Sequence, residues 1–592
     1  MMARANGRGY SEAMSCPRVF RPVLAALLAL ACAAAPASAA TPGARDSLGR
    51  YAAGLAAFGF TGQVVVAEGD SVLLSRSCGT ADAKGRAVSY ATGFAAGSIT
   101  KSITAALTVL LAERGVMSLD ASISAYVPGV PMDKRAITIR QLLTHTSGLP
   151  LDAEGLFAAD AREDVLKKTL REKVEAAPGE RFGYSNAGFQ LLAAAVENAS
   201  GKPLPKLAAA ELFAPLGMRD TGLGADYARS VRDAADGRNE WKWLPGLHEW
   251  RQPWAGTGAG DLVTTARDLS RWARALQGGG PLTRAAIDTL LERRVDAGGD
   301  RWYAFGIWRP AQGVDIVSLG GDIPGYHALV WFEARPGGRV VAVTCAGERW
   351  GRGLPTLRVV RALWDIAAGR PRTLPPETAH WPEDRVRALA GRWSAAPDGR
   401  VALVSDGAGL RAEISGETAL ALLLGRDSTE ARALAEGRAT DILRAAATAD
   451  DPALIAALLP PERTAWSAKL RVEVGTAAKR VGGIRSIAID GTVPLPWLEG
   501  GQRTYVRLIG PKGERDASLA WLEGGLLDLA FDEGRPAAAI LPVAPALDGG
   551  LLAWDLLSGA TLRLEPYADA KGEPRLRLSS PDGREASARR VK

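Results

Sequence analysis

Gly97-Ser98-Ile99-Thr100-Lys101-Ser102 is the stretch on which the reading of this chain turns. It opens an apolar helical pattern that runs from Ser98 to about Gly115. Ser98 and Lys101, three positions apart, fall on one face of a helix. A hydroxyl in the first turn also sits in the positive end of the helix field. A serine alcohol is a poor nucleophile until a base takes its proton. Taken alone, Ser98-Ile99-Thr100-Lys101 fits a capping serine beside an exposed lysine equally well. The residues that follow argue for more. Ile103, Ala105, Ala106, Leu107, Val109, Leu110 and Leu111 leave the helix almost no polar face, so Lys101 is expected to be buried. Burial disfavours the charged form of an amine and lowers its pKa. A near-neutral amine one turn from an alcohol predicts acyl-transfer chemistry through Ser98.

Outward from this helix, the pattern is β, then α, then β. Residues 61–68 and 71–77 are β-rich runs split by Gly69-Asp70, a hairpin signal. Helical periodicity dominates from Ser98 to about Arg294, most clearly over 163–176, 187–198, 204–214 and 266–276. Three β-like runs follow at 314–319, 326–332 and 339–344, and a helix opening on Pro355 closes the segment at about 368. Strands at both ends with helices between predict an α+β fold: one antiparallel sheet completed by both ends, flanked by helices, with an inserted helical lobe.

Arg370-Pro371-Arg372-Thr373-Leu374-Pro375-Pro376 reads as a proline-rich linker over 371–376. Beyond it, strand candidates lie at 389–393, 400–404 and 410–414, helices at 430–447 and 452–459, and strands at 470–474, 483–489, 504–509, 518–521 and 526–531. Short β pieces return at 551–556, 561–566, 575–578 and 585–591. We read 377–427 with 534–592 as a β-barrel-like module, and 428–533 as an α+β insert within it. The domain scheme is therefore a leader at 1–39, a first domain at 40–370, the linker, and this C-terminal half, in which no cluster that could carry chemistry is evident.

The 592 residues carry 72 Lys and Arg against 65 Asp and Glu, a formal charge of +7. Residues 1–39 supply Arg4, Arg8, Arg18 and Arg21 against Glu12, so the remainder stands at +4. Charges of both signs are dispersed, without basic blocks interleaved with aromatics, so no nucleic-acid partner is expected. The N-terminus reads as an export signal: basic residues, an apolar run at 23–35, then Ala37-Ser38-Ala39 before Ala40. Met14 offers an alternative start. The apolar run is too short for a stable membrane span, and Ala29-Leu30-Ala31 is a poor lipidation signal ahead of Cys32. The expected location is periplasmic or secreted. Cys78 and Cys345 are expected as free or buried thiols rather than a disulfide, although an oxidising compartment permits one. No metal or organic cofactor is implied, and the oligomeric state is left open.

Two further stretches stand out. Tyr184-Ser185-Asn186 lies on a turn entering a helix; by itself it reads as a core tyrosine and an asparagine cap. Beside a lysine, however, a phenolate can shuttle protons and an amide can grip an acyl group. Ser318-Leu319-Gly320-Gly321-Asp322 ends a strand, where paired glycines allow close backbone approach and can present the Asp322 N–H to an oxyanion. An ordinary glycine-rich turn is the plainer reading. Trp241, Trp243, Trp250 and Trp254 crowd one loop, either as an aromatic wall for substrate or as pins for the loop itself.

In this order, over about 44–370, these pieces resemble the serine β-lactamase and penicillin-binding-protein-like superfamily. The nearest branch by resemblance is that of class C β-lactamases, D-alanyl-D-alanine carboxypeptidases, D-aminopeptidases and related esterases. Carrying motifs are Gly97-Ser98-Ile99-Thr100-Lys101-Ser102, Leu142-Leu143-Thr144-His145-Thr146-Ser147-Gly148-Leu149, Tyr184-Ser185-Asn186, and Ala255-Gly256-Thr257-Gly258-Ala259-Gly260-Asp261-Leu262-Val263-Thr264-Thr265-Ala266-Arg267-Asp268-Leu269. The resemblance implies Ser98 as acylated nucleophile, with Lys101 and Tyr184 sharing base and acid work; which of the two is the base stays open. It further implies Asn186 as the acyl-positioning amide, and the Ser98 and Asp322 N–H groups as oxyanion donors. His145 is expected to fix a loop. Substrate contacts are expected from Leu319, Gly320, Gly321 and Trp254. The C-terminal half is loosely similar to β-barrel modules appended to such hydrolases.

One departure shapes the functional expectation. The superfamily's third motif usually begins with Lys or His, a cation that holds a substrate carboxylate; this chain has Leu319-Gly320-Gly321. Losing a buried charge-assisted hydrogen bond costs about 1.5–3 kcal/mol, roughly ten- to a hundredfold in rate. Nearby His327 is not expected to replace that cation. The expected activity is therefore hydrolysis of an ester or amide in a small molecule or peptide. The alternatives are a D-amino-acid-specific peptidase or carboxypeptidase on peptidoglycan fragments, a weak β-lactamase, and a catalytically silent binder of cell-wall ligands.

Overall fold

The structure is a computed structural model. It describes residues 43–591, apart from 154–160, 225–226, 228–229, 240–241, 248–253, 299–300, 311–314, 348–354, 371, 373, 380–383, 385–387, 397–398, 406–409, 416–428, 449–458, 460–466, 495–500, 523–524, 532–537, 555–560 and 581–582. The leader at 1–39 and, but for Leu459, the helix expected at 452–459 therefore lie outside the described residues, as do Trp241 and Trp250.

The two ends of the first 370 residues build one sheet. Helix α1 (Ala44–Ala57) leads into the hairpin β1 (Thr61–Glu68) and β2 (Ser71–Cys78). From the far end come short strands at Val295–Asp296, Arg301–Tyr303 and Trp308–Pro310, then Ile316–Ile323, Tyr326–Glu333 and Val340–Ala346. β1 pairs antiparallel with Val340–Ala346, Thr61 opposite Ala346, which closes an eight-stranded sheet from segments nearly 300 residues apart. The α+β expectation holds. The short strands at 301–303 and 308–310 were not foreseen, because three residues carry too little periodicity to register.

Each face of the sheet is covered. α1 and the helix Pro355–Ala367 pack on one side, where Trp331 meets Trp364 edge-on with ring centroids 6.1 Å apart. On the other side lies the helical lobe: α2 (Thr100–Glu113), α3 (Ile139–Leu143), α4 (Arg162–Arg171), α5 (Asn186–Ser200) and α6 (Ala266–Leu276). α2 is buried over twelve of its fourteen residues, which explains its near-absence of charge. Each fully buried Leu or Ile there contributes about 1.5–3 kcal/mol relative to exposure, and Leu107→Ala would cost ~2–5 kcal/mol. Cys78 and Cys345 both oppose Gly62, on the two strands flanking β1. Two strand spacings separate them by about 9.5 Å, too far for a disulfide, and both thiols are free and buried.

The C-terminal half contains a closed barrel of eight antiparallel strands: Gly391–Ala395, Gly399–Ser405, Leu410–Ser415, Ala538–Pro545, Leu551–Trp554, Thr561–Ala568, Pro574–Ser579 and Glu585–Val591. Alternate residues such as Val401, Leu403, Ala412, Ile414, Leu562, Leu564, Leu576 and Leu578 fill its interior, as expected for a barrel of this size. Between Ser415 and Ala538 stand helices Thr429–Thr448 and Ser467–Val481 and a four-stranded antiparallel meander, Ser486 to Phe531. One expectation is corrected here. Leu470-Arg471-Val472-Glu473-Val474 alternates like a strand but is helical. Leu470, Val474, Ala477 and Val481 are buried at helical spacing, while Val472 is 69% exposed. The strand Ala538–Pro545 went unread because Pro542 and Pro545 interrupt its apolar run. The barrel meets the first domain where Trp554 packs against Phe58, at the end of α1, centroids 5.1 Å apart.

Candidate active site

The strand β3 (Thr92–Gly97) delivers the chain to Ser98. Gly97 adopts φ 49°, a left-handed turn that reverses the strand into α2. Regular helix begins at Thr100, two residues later than the sequence suggested. Ile99 already has helical angles, and the Lys101 N–H donates to the Ser98 carbonyl at 3.1 Å. Ser98 and Lys101 therefore still stack on one face. A stripe of buried hydroxyls fixes this turn. Thr100 Oγ1 donates to the Gly97 carbonyl and accepts from the Leu262 N–H, Thr104 Oγ1 donates to the Gly258 carbonyl, and Trp272 donates to Ser102 Oγ.

Lys101 is 1% exposed, as its helix predicted. Its Nζ lies 3.2 Å from Ser98 Oγ, 2.7 Å from Asn186 Oδ1 and 2.7 Å from the Ala259 carbonyl oxygen. Burial brings the amine down to about 7, against a weaker upward pull from Asp152 and Asp261. The partner set accommodates both charge states. Two partners, Asn186 Oδ1 and Ala259 O, can only accept, so they occupy the two N–H groups of a neutral amine. The lone pair then faces Ser98 Oγ, whose proton it can take; as an ammonium, the same nitrogen donates in all three directions.

Asn186 opens α5, with Ser185 as its cap: Ser185 Oγ accepts from the Gly188 N–H. The Asn186 amide is oriented from its other end, where Nδ2 donates to Asp152 Oδ1 at 3.1 Å. Burial holds the Asp152 carboxyl above its usual range, while Asn186 and Lys101 pull it down. Asp261, also buried, is pushed up to about 7. Tyr184 is half-buried, and the Lys101 Nζ sits 4.9 Å from the centre of its ring.

The third motif arrives on the strand Ile316–Ile323, and glycine is required there. A Cβ on Gly321 would stand 1.9 Å from the Ala96 carbonyl oxygen, and one on Gly97 would stand 2.8 Å from the Asp322 nitrogen. The backbones that carry the Ser98 and Asp322 N–H groups are thus in direct contact. A shallow cleft opens beside them, lined by Ser98, Ile99, Tyr184, Tyr303, Gly306, Trp308, Ser318, Leu319 and Gly320. Its lining carries no charged side chain among the described residues. His327 donates Nδ1–H to Asp322 Oδ1 at 2.5 Å and is not among the lining residues.

The structure thus brings Ser98, Lys101, Tyr184, Asn186, Leu319, Gly320, Gly321 and Asp322 together. Trp254 goes elsewhere: it packs beside Ala153, Val165 and Ala255, with the Arg162 guanidinium 5.5 Å above its ring. Trp243 is likewise engaged, under the Arg238 guanidinium at 4.8 Å. The aromatic wall of the cleft is instead Tyr184 with Tyr303 and Trp308. The Trp308 ring lies parallel to Tyr184, centroids 6.3 Å apart. Sequence reasoning missed Tyr303, Trp308 and Asp152. The aromatic density of Trp302-Tyr303-Ala304-Phe305-Gly306-Ile307-Trp308 was the available signal for the first two; a lone aspartate in a loop offered none.

The Beta-lactamase family matches residues 52–363, just over half of the chain. The D-alanyl-D-alanine-carboxypeptidase/endopeptidase AmpH of Escherichia coli (strain K12) is 31% identical over 251 residues, covering 39% of this chain and 59% of that protein. Penicillin-binding protein 4* of Bacillus subtilis (strain 168) is 28% identical over 306 residues, covering 46% and 65%. The chain therefore spans roughly three-fifths of the length of these curated relatives. Among solved structures, a penicillin binding protein from Bacillus halodurans is similar, with 24% identity, coverage of 56% of this chain and 98% of that one, and a TM-score of 0.45.

Proposed function

Because this chain belongs to the Beta-lactamase family, we propose that it is an exported serine hydrolase that cleaves an ester or amide through an acyl-enzyme on Ser98. The observation that carries the proposal is the Lys101 amine, buried, brought down to about 7, and 3.2 Å from Ser98 Oγ. In this reading the Ser98 proton passes to the Lys101–Tyr184 pair as Oγ attacks the acyl carbon, and returns to the leaving group as the tetrahedral adduct collapses. The Ser98 and Asp322 N–H groups hold the oxyanion, and Asn186 orients the acyl group while keeping the Lys101 lone pair aimed at Ser98. Water then enters against the acyl-enzyme, with the same pair as base. Export rests on the leader at 1–39.

An uncharged cleft bordered by Leu319 favours acyl groups without a carboxylate. The 31% identity to a carboxypeptidase/endopeptidase supports a second reading, hydrolysis of D-amino-acid peptides; Leu319 speaks against its carboxypeptidase form. A fluorophosphonate probe on wild type and Ser98→Ala tests the nucleophile: labelling is expected in the first and absent in the second, and equal labelling would overturn the proposal. Initial rates on p-nitrophenyl esters, D-Ala-D-Ala peptides and nitrocefin then rank the substrates. N-terminal sequencing of exported protein, expected to begin at Ala40, tests the leader.

A further inference from the structure

His145 has a backbone that calls for explanation. Its φ is 57°, the single left-handed non-glycine residue among those described. For a residue with a Cβ this conformation is unfavourable and persists only where the surroundings enforce it. The surroundings here are the two chain neighbours of Tyr184. The Gly183 N–H donates to the His145 carbonyl oxygen at 2.8 Å, and the Ser185 N–H donates to His145 Nδ1 at 3.1 Å. One residue thus grips the backbone on both sides of Tyr184. Its ring also lies against the Tyr184 ring, centroids 4.2 Å apart.

The imidazole is itself held. Since Nδ1 accepts from Ser185, the ring proton is on Nε2, which donates to Tyr303 Oη at 3.0 Å. Burial, reinforced by the nearby Lys101, keeps the ring neutral, so both bonds keep their direction. Phe189 closes a further side, centroid 5.0 Å away. With both ring nitrogens engaged by Ser185 and Tyr303, His145 is suited to holding a neighbour still.

We propose that His145 is the positioning residue for Tyr184, clamping its backbone from both sides and its ring from one face so that the phenol stays in register with Lys101 and Ser98. This deepens the reading of Tyr184 as a proton carrier and rests on it. Displacing a catalytic group by about 1 Å costs on the order of a hundredfold.

The test is a double-mutant cycle read by steady-state hydrolysis of a p-nitrophenyl ester. His145→Asn keeps a residue that tolerates the left-handed backbone but removes the ring and its reach to Tyr303. It is expected to lower kcat ten- to a hundredfold with KM within about twofold. In a Tyr184→Phe background the same substitution is expected to change kcat by less than about twofold, because the group it positions is gone. Equal losses in the two backgrounds, or no loss in the first, would overturn the proposal. Leu276→Ala, a cavity in the same core away from the cleft, serves as control: Tm falls while kcat holds. Should His145→Asn fail to fold, Tyr303→Phe removes only the hydroxyl that anchors the imidazole, and the same non-additivity with Tyr184→Phe is expected; additive losses there would equally overturn the proposal. Wild type that is labelled at Ser98 but shows no coupling sinks the positioning role alone. Wild type that is not labelled at Ser98 sinks the underlying reading and this proposal with it.

Discussion

A Cβ placed on Gly321 would lie 2.6 Å from the backbone nitrogen of Ser98. No side chain fits that gap, so the distance between the nucleophile's strand and the third-motif strand is set by the missing methyl. Both proposed oxyanion donors depend on this approach. Gly321→Ala must push the strands apart or bend β3, and is expected to lower kcat by about a hundredfold or more. The same substitution at Gly49, in helix α1, is the stability comparison: its Cβ meets nothing within 4 Å and its backbone is helical. Wild-type kcat in folded Gly321→Ala protein would remove the oxyanion assignment.

Lys101 makes a pH prediction with a definite sign. Its folded value is about 7 against an ordinary 10.5, so acylation should rise with pH through about 7 as the amine becomes neutral. The unfolded chain binds the proton more tightly between those values, so stability rises with pH across that window and the gain is complete above the unfolded value. Lys101→Met should remove both the activity and this component of the pH dependence. Urea melts of the two proteins at pH 7, 8.5 and 10 check it; parallel curves would contradict the neutral-amine reading.

Asp261 lies on the segment that also supplies the Ala259 carbonyl to Lys101. Its charge raises the lysine's proton affinity. Asp261→Asn is therefore expected to move the acid limb of the acylation profile to lower pH. A shift to higher pH would show that the carboxylate acts on Lys101 in some other way.

Leu319 is 2% exposed and borders the cleft where the superfamily usually carries a cation. Leu319→Lys should raise kcat/KM for substrates with a free carboxylate relative to neutral esters, by roughly ten- to a hundredfold in the ratio. Paired rates on a D-Ala-D-Ala peptide and a p-nitrophenyl ester measure that ratio. An unchanged ratio would mean that the substrate does not pass along this strand.

Much of the site was legible because its elements are local. Ser98 and Lys101 are joined by one turn, and the apolar residues after them already required Lys101 to be buried. Tyr184 and Asn186 sit on either side of one cap. By contrast, Asp152 orients Asn186 from a loop 34 residues away. Trp308, and not Trp254, forms the wall: both are aromatic residues in glycine-containing stretches, and only packing distinguishes them. The misread strand at 470–474 shows the same limit, since five residues fit two periods and only the buried partners beyond them decide.

The order of residues alone thus determined the chemistry on offer: an alcohol, an amine one turn away, a phenol, an amide, and no cation in the third motif. It also pointed to a sheet shared by the two ends, since strands lie at both ends with helices between. Tertiary structure decided what the amine can do. Its lone pair is aimed at Ser98 only because Asn186 and Ala259, 85 and 158 residues distant, occupy its other directions. Proton affinity and hydrogen-bond direction depend on the groups within a few ångströms, and chain order does not specify those until the chain has folded.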